Sequence, residues 1–165
     1  ALYFDFFHFY GTPQQVGIAG YRRAPRIIRN TIRSIAPDGL FWTVMDKNKK
    51  GRYPKAKHAG GNIYHYGHCR SVSKMAEKLK QVGRYWGSKH EDFKGYGSID
   101  VRELRPFKGS HPAVMENWLA QEAETEFCQD ADYRVSRRDR RNRIRFWIED
   151  ILGVEISKKH YQPLD

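Results

Sequence analysis

The sequence predicts an α+β fold in which short strands come first and three helices follow. Up to Tyr66 the apolar residues cluster in short runs rich in aromatic and β-branched side chains, separated by glycine, proline and polar turns. From Val72 onward they recur at steps of three and four, the period of a helix lying on a core. No internal repeat, low-complexity segment or interdomain linker interrupts the chain, so its 165 residues read as a single unit.

Leu2 to Tyr10 form an aromatic run closed by Gly11-Thr12-Pro13, which predicts a strand and a turn, with a second extended stretch after it. The run begins almost at the first residue, whereas domains usually open on a polar, frayed lead-in, and this predicts that the segment belongs to a longer polypeptide. Tyr21 to Ile35 carry Ile27, Ile28, Ile32 and Ile35 among five arginines, broken by Asn30, which predicts two short strands or a hairpin. Phe41 to Met45 predict another short strand. Lys47 to Lys57, polar and holding Gly51 and Pro54, predict a mobile loop, and Asn62 to Tyr66 a further strand.

The helical half opens with Val72, Met75, Leu79, Val82 and Trp86 on one face, Ser71 or Ser73 being available as N-cap. Residues 87–110 predict a glycine-punctuated loop. Ser110-His111-Pro112 then opens a second helix carrying Met115, Trp118, Leu119 and Glu122, with the proline in the first turn, where it is tolerated. Glu116 to Asp132 hold six acids and no lysine or arginine, whereas Arg134 to Arg145 hold seven arginines and one acid. Ser136 with Asp139 predicts a capping box, Ile144, Trp147, Ile148 and Ile151 an apolar face, and Gly153 the helix end.

Hydrophobic residues make up 39% of the chain, enough for a core and unlike a disordered sequence. The formal net charge of +11 favours anionic partners without choosing among nucleic acid, phosphate groups and anionic lipid. Two distant cysteines, Cys69 and Cys128, are the usage of a reducing compartment, and with no secretory leader in the sequence the expected location is cytoplasmic. G-x-S-x-G and Walker A motifs are absent, and Gly95-x-Gly97 lacks the third glycine of a dinucleotide fingerprint, which leaves hydrolase and dehydrogenase readings without support.

Five short blocks occur in order: His8-Phe9-Tyr10-Gly11, Arg26-Ile27-Ile28-Arg29-Asn30, Ile63-Tyr64-His65-Tyr66-Gly67, Gly109-Ser110-His111-Pro112-Ala113-Val114-Met115 and Ser157-Lys158-Lys159-His160-Tyr161. Together they resemble the C-terminal region of family 2 glycosyltransferases over nearly the whole chain. The resemblance implies a partial GT-A sheet that lacks the N-terminal nucleotide-binding half, and with it the D-x-D strand that holds the metal. It implies, for the intact enzyme, transfer of a sugar from a nucleotide-sugar donor to an acceptor hydroxyl, with Mn²⁺ or Mg²⁺ bridging protein and diphosphate. It also implies that His65 completes the metal site; the alternative from the residues is a strand-end histidine packed between tyrosines. His68 and Cys69 stand where the family usually has an aromatic and an aliphatic residue.

Arg70, just before a predicted helix N-terminus, could present a guanidinium fork and helix amides to a diphosphate, or be an ordinary surface arginine. Arg26, Arg29 and Arg33 read as solvated or structural. His65, His68 and Cys69 lack a convincing fourth ligand for zinc. Asp130-Ala131-Asp132 follows no apolar strand and reads as a solvated loop. The acceptor's base would be a carboxylate, with nothing to choose among Asp38, Asp46, Glu91 and Asp92. The basic, amphipathic stretch from Arg137 to Arg145 also fits a peripheral membrane contact, or the alternative reading of the chain as a nucleic-acid-binding module. Self-association through apolar surface is expected as well.

Overall fold

The computed structural model describes residues 1–36, 41–45, 47, 48, 50–86 and 93–164, with the side chains of Tyr85 and Trp86 outside that description. In chain order the elements are β1 (Leu2–Tyr10), β2 (Thr12–Gly17), β3 (Arg23–Ile27), β4 (Ser34–Ile35), β5 (Thr43–Met45), β6 (Gly51–Arg52), β7 (Lys55–His68), α1 (Val72–Trp86), β8 (Leu104–Pro106), α2 (Glu116–Glu122), α3 (Arg137–Leu152) and β9 (Gln162–Pro163). The fold is α+β, a mixed sheet of many short strands with three helices, as the two hydrophobic periods predict.

The chain divides into two compact units. The first comprises residues 1–7, 20–63 and 156–165. Here the start of β1 pairs antiparallel with β3, Phe4 opposite Ala24, and β4, β5 and β6 make a three-stranded antiparallel sheet. Tyr21 to Ile35 thus gives two short strands, each with a partner elsewhere. The start of β7 pairs in parallel with β9, fixed by N–H bonds from Gln162 to Pro54 O and from Leu164 to Ala56 O, both 2.9 Å. The core gathers Phe6, Ala24, Val44, Ala56 and Tyr161, and Tyr161 stacks on Tyr3 at 4.2 Å.

The second unit comprises residues 8–19 and 64–155. The end of β1 turns at Gly11, whose φ of 71° a side-chain-bearing residue rarely adopts, into antiparallel β2, and β8 pairs with β2. Phe9, Cys69, Met75, Tyr96, Leu104 and Phe146 are its buried apolar residues.

Several expectations are corrected. The loop expected over Lys47 to Lys57 contains β6 and the start of β7, which runs 14 residues. Polarity is a poor guide there because one side of the strand is exposed while Ala56 is fully buried. The loop expected over residues 87–110 contains β8, anchored by buried Leu104. The second helix is a 3₁₀ turn, Ala113–Met115, followed by only seven residues of α2.

In α3 the capping box of Ser136 and Asp139 and the left-handed Gly153 are both present. Its predicted apolar face, however, points to solvent: Ile144, Trp147 and Ile151 are 60%, 65% and 60% exposed, while Asp139, Phe146 and Glu149 are buried. The physical reason is a polar network on the core side. Buried Asp100 accepts hydrogen bonds from Arg143 Nε (2.6 Å) and Nη2 (3.0 Å), and buried Glu103 accepts from Asn142, so this polar network, together with buried Phe146, seats the helix on the side away from Ile144.

Candidate functional site at the end of strand β7

The site stands on an aromatic cluster of the second unit. Phe9, 0% exposed, stacks on Tyr66 at 4.7 Å and meets Phe107 and His111 at 5.0 Å each. Tyr66 Oη lies 2.8 Å from His111 Nδ1. Burial first, then Tyr64 and Cys69, pushes the Tyr66 phenol up to about 12, so it stays protonated and can donate to the ring. Phe9, Tyr66 and His111 belong to three of the five sequence blocks. The other two blocks lie in the first unit and are linked there through residues outside them: Arg26 covers Phe6 (5.3 Å), Phe6 meets Tyr21 (5.2 Å), and Tyr21 meets His160 (5.5 Å). Arg26 is thus placed structurally, whereas Arg29 and Arg33 are exposed.

Beyond the cluster, β7 ends at His68, whose carbonyl accepts from Gly11 N–H at 2.7 Å. His65 meets His8 edge-on at 5.3 Å and His68 at 6.4 Å. Gly67 is needed for the first of these rings. It has no positive φ; a Cβ there would lie 2.5 Å from His65 Cε1 and 2.6 Å from Nε2. The pKa of His68 is lowered by burial, then by Lys78 and His65.

Arg70 is held by its backbone. Its N–H donates to Tyr96 Oη (3.2 Å), and Tyr96 O–H donates back to the Arg70 carbonyl (2.8 Å). Its guanidinium lies 5.6 Å over Trp118. Lys78, on α1, donates to Gly67 O at 2.7 Å, and its pKa is lowered by burial and then by Arg70. Two cations therefore face the same corner. Lys78 escapes sequence reading, although it lies seven residues after Ser71, two helical turns along the face that Ser71 starts.

The first amide of α1 is occupied: Val72 N–H donates to Glu124 Oε1 at 2.8 Å, Ser71 N–H donates to Glu122 O at 2.8 Å, and Lys74 pairs with Glu122. Glu124 satisfies the Val72 amide from a distant loop, while the Ser71 carbonyl accepts the first intrahelical bond, from Met75 N–H at 2.9 Å; Arg70 does not share its corner with a free Val72 amide.

Cys69 and Cys128 are both free thiols. Asp130 and Asp132 lie exposed in a turn. Asp38, Asp46, Glu91 and Asp92 lie outside the described residues. Among the described residues no group of three or more His, Cys, Asp or Glu side chains is arranged to hold a metal, so His65 offers one imidazole and no complete donor set. Among them, too, no helix is long and apolar enough to cross a membrane. Comparison with protein-family models, curated proteins and solved structures finds no match for this chain.

Proposed function

We propose that this chain is the acceptor-side, C-terminal portion of a family 2, GT-A-type glycosyltransferase that moves a sugar from a nucleotide donor to an acceptor hydroxyl. The observation that carries the reading is the placing of two cations at the end of β7: Lys78 Nζ donates to the Gly67 carbonyl at 2.7 Å, and Arg70, three residues further on, is pinned through its backbone to Tyr96 with its guanidinium 5.6 Å over Trp118; burial, and then Arg70, lowers the lysine's pKa. Without a ligand such a pairing is unfavourable; a diphosphate relieves it. Arg70 offers two parallel N–H donors to phosphate oxygens and Lys78 a compact charge, so both counter the negative charge that grows on the departing nucleoside diphosphate.

A divalent metal, when bound, supplies Lewis-acid stabilisation of that leaving group. His65 would be one donor to it, the carboxylates coming from the D-x-D strand that the resemblance places N-terminal to these residues. Residues 1–165 alone are expected to turn over no nucleotide sugar, because one imidazole does not hold the metal.

The test uses the full-length polypeptide that contains these residues, titrated with nucleotide sugar and Mn²⁺. Arg70→Ala weakens donor binding about tenfold or more, the loss of a charge-assisted pair. His65→Ala weakens the Mn²⁺-dependent part of binding and leaves the melting temperature unchanged. Unchanged donor binding with a lowered melting temperature would mean that His65 is only packed against His8, and the assignment would be withdrawn.

A further inference from the structure

Helix α3 carries a surface that the glycosyltransfer reading does not use. At about 100° per residue, Arg137, Arg140, Arg141, Ile144, Trp147, Ile148, Ile151 and Leu152 all fall within about 80° of Ile144, on the side away from buried Asp139, Phe146 and Glu149. Seven of these eight are exposed and Ile148 is half-buried. The face is graded along its length. Its first half is cationic, and the side chains of Arg137, Arg140 and Arg141 make no ion pair among the described residues. Its second half is apolar, and Val154, just past the helix end, is 50% exposed.

We propose that this face docks on an anionic membrane surface, the Trp147 end entering the interface while the arginines stay among the lipid phosphates. Arg140 and Trp147 are separated by about 10 Å along the helix axis, so a helix tilted about 30° or more from the membrane plane sets Trp147 at least about 5 Å deeper than the arginines, within the depth of about 5–10 Å to which interfacial helices sink their apolar residues. A tilted helix therefore puts both halves in their preferred layer at once. The charge grading selects lipid over the other anionic partners. A nucleic-acid backbone would take the three arginines but gives no apolar surface to Ile144, Ile151 and Leu152, whereas a lipid surface takes both. Arg143 and Arg145 are already committed, to Asp100 and to the Ala19 carbonyl (2.9 Å), which leaves the outward arginines for the membrane.

The experiment is flotation of the 165-residue chain with vesicles of phosphatidylcholine alone and of phosphatidylcholine mixed with phosphatidylglycerol, at low and high salt. The chain is expected to float only with the anionic vesicles and to be released by salt. Arg140→Gln and Arg141→Gln each lower the bound-to-free ratio about fivefold, and Trp147→Ser lowers it about tenfold. Thermal melts accompany each variant; if Trp147→Ser lowers the melt, Ile151→Ser on the same exposed face carries the same readout. No flotation with anionic vesicles overturns the proposal, as does equal flotation with both kinds. Binding that Trp147→Ser and Ile151→Ser leave unchanged, together with salt-sensitive binding to RNA, would assign the face to nucleic acid instead. A dimer in sedimentation that dissociates in Trp147→Ser, without flotation of the parent, would assign it to a second copy of the chain.

Discussion

Cys69 and Cys128 differ in what governs thiol reactivity. Cys69 is fully buried, and burial pushes its thiol up to about 12, while Cys128 is exposed. Iodoacetamide at neutral pH is expected to label one cysteine per folded chain, at Cys128, and both once the chain is unfolded; rapid labelling of Cys69 in the folded protein would contradict the packing around it. Asp100 has a pH consequence. Hydrogen bonds from Arg143, ahead of the opposing effect of burial, hold its carboxyl below the usual carboxylate value of about 3.9. The unfolded state therefore binds more protons in acid, so the stabilisation is complete above that value and fades as pH falls through the folded one. Arg143→Met should lower the melting temperature at neutral pH, with the gap from the parent narrowing below about pH 4; a gap independent of pH would mean the pair contributes only by packing. The sequence singles out His65 and Arg70, but not Lys78 or Tyr96, because their part in the site depends on which side of a helix or loop returns to the strand end.

Single elements answer to caps and close approaches. Ser136→Ala removes the acceptor for Asp139 N–H and should cost about 1 kcal/mol, or roughly 2–4 °C in melting temperature, readable by circular dichroism. Gly97→Ala should be more damaging, because its Cβ would lie 2.6 Å from Asp130 N and 2.7 Å from Cys128 O, both backbone atoms that cannot step aside. An unchanged melt would mean that this loop is free to reposition. The capping signals of α3 are legible in sequence because they are local, chemistry within four residues. Its orientation is not: Ile144, Trp147 and Ile151 follow the pattern of a core face, but buried Asp100 and Glu103 recruit Arg143 and Asn142 and turn the other side inward. The start of β7 is hidden for a related reason, since Lys55 and Ala56 are strand through partners distant in sequence, Ala1 and β1 on one side and Gln162 and Pro163 on the other.

At the scale of the whole chain, β1 and β7 each contribute residues to both compact units, so no change of composition marks the division and the sequence reads as one unit. The same interleaving forbids excision. Residues 64–155 alone lack β2, the partner of β8, and Phe9, the ring against which Tyr66 and His111 pack, and should show no cooperative thermal transition. A sharp melt from that segment would show that β1 and β2 are dispensable. The loop that carries Glu124 bears on how any anion is received. Glu124 is a tethered competitor: it occupies the first amide of α1 at an effective concentration set by the chain itself, which no dilution lowers. On the proposed reading, a phosphate beside Arg70 would therefore meet arginine and lysine but not the Val72 amide, unless the loop lets go. Affinity at this corner is then tied to the freedom of a segment that touches no ligand, and Glu124→Gln, by weakening the incumbent, loosens that hold.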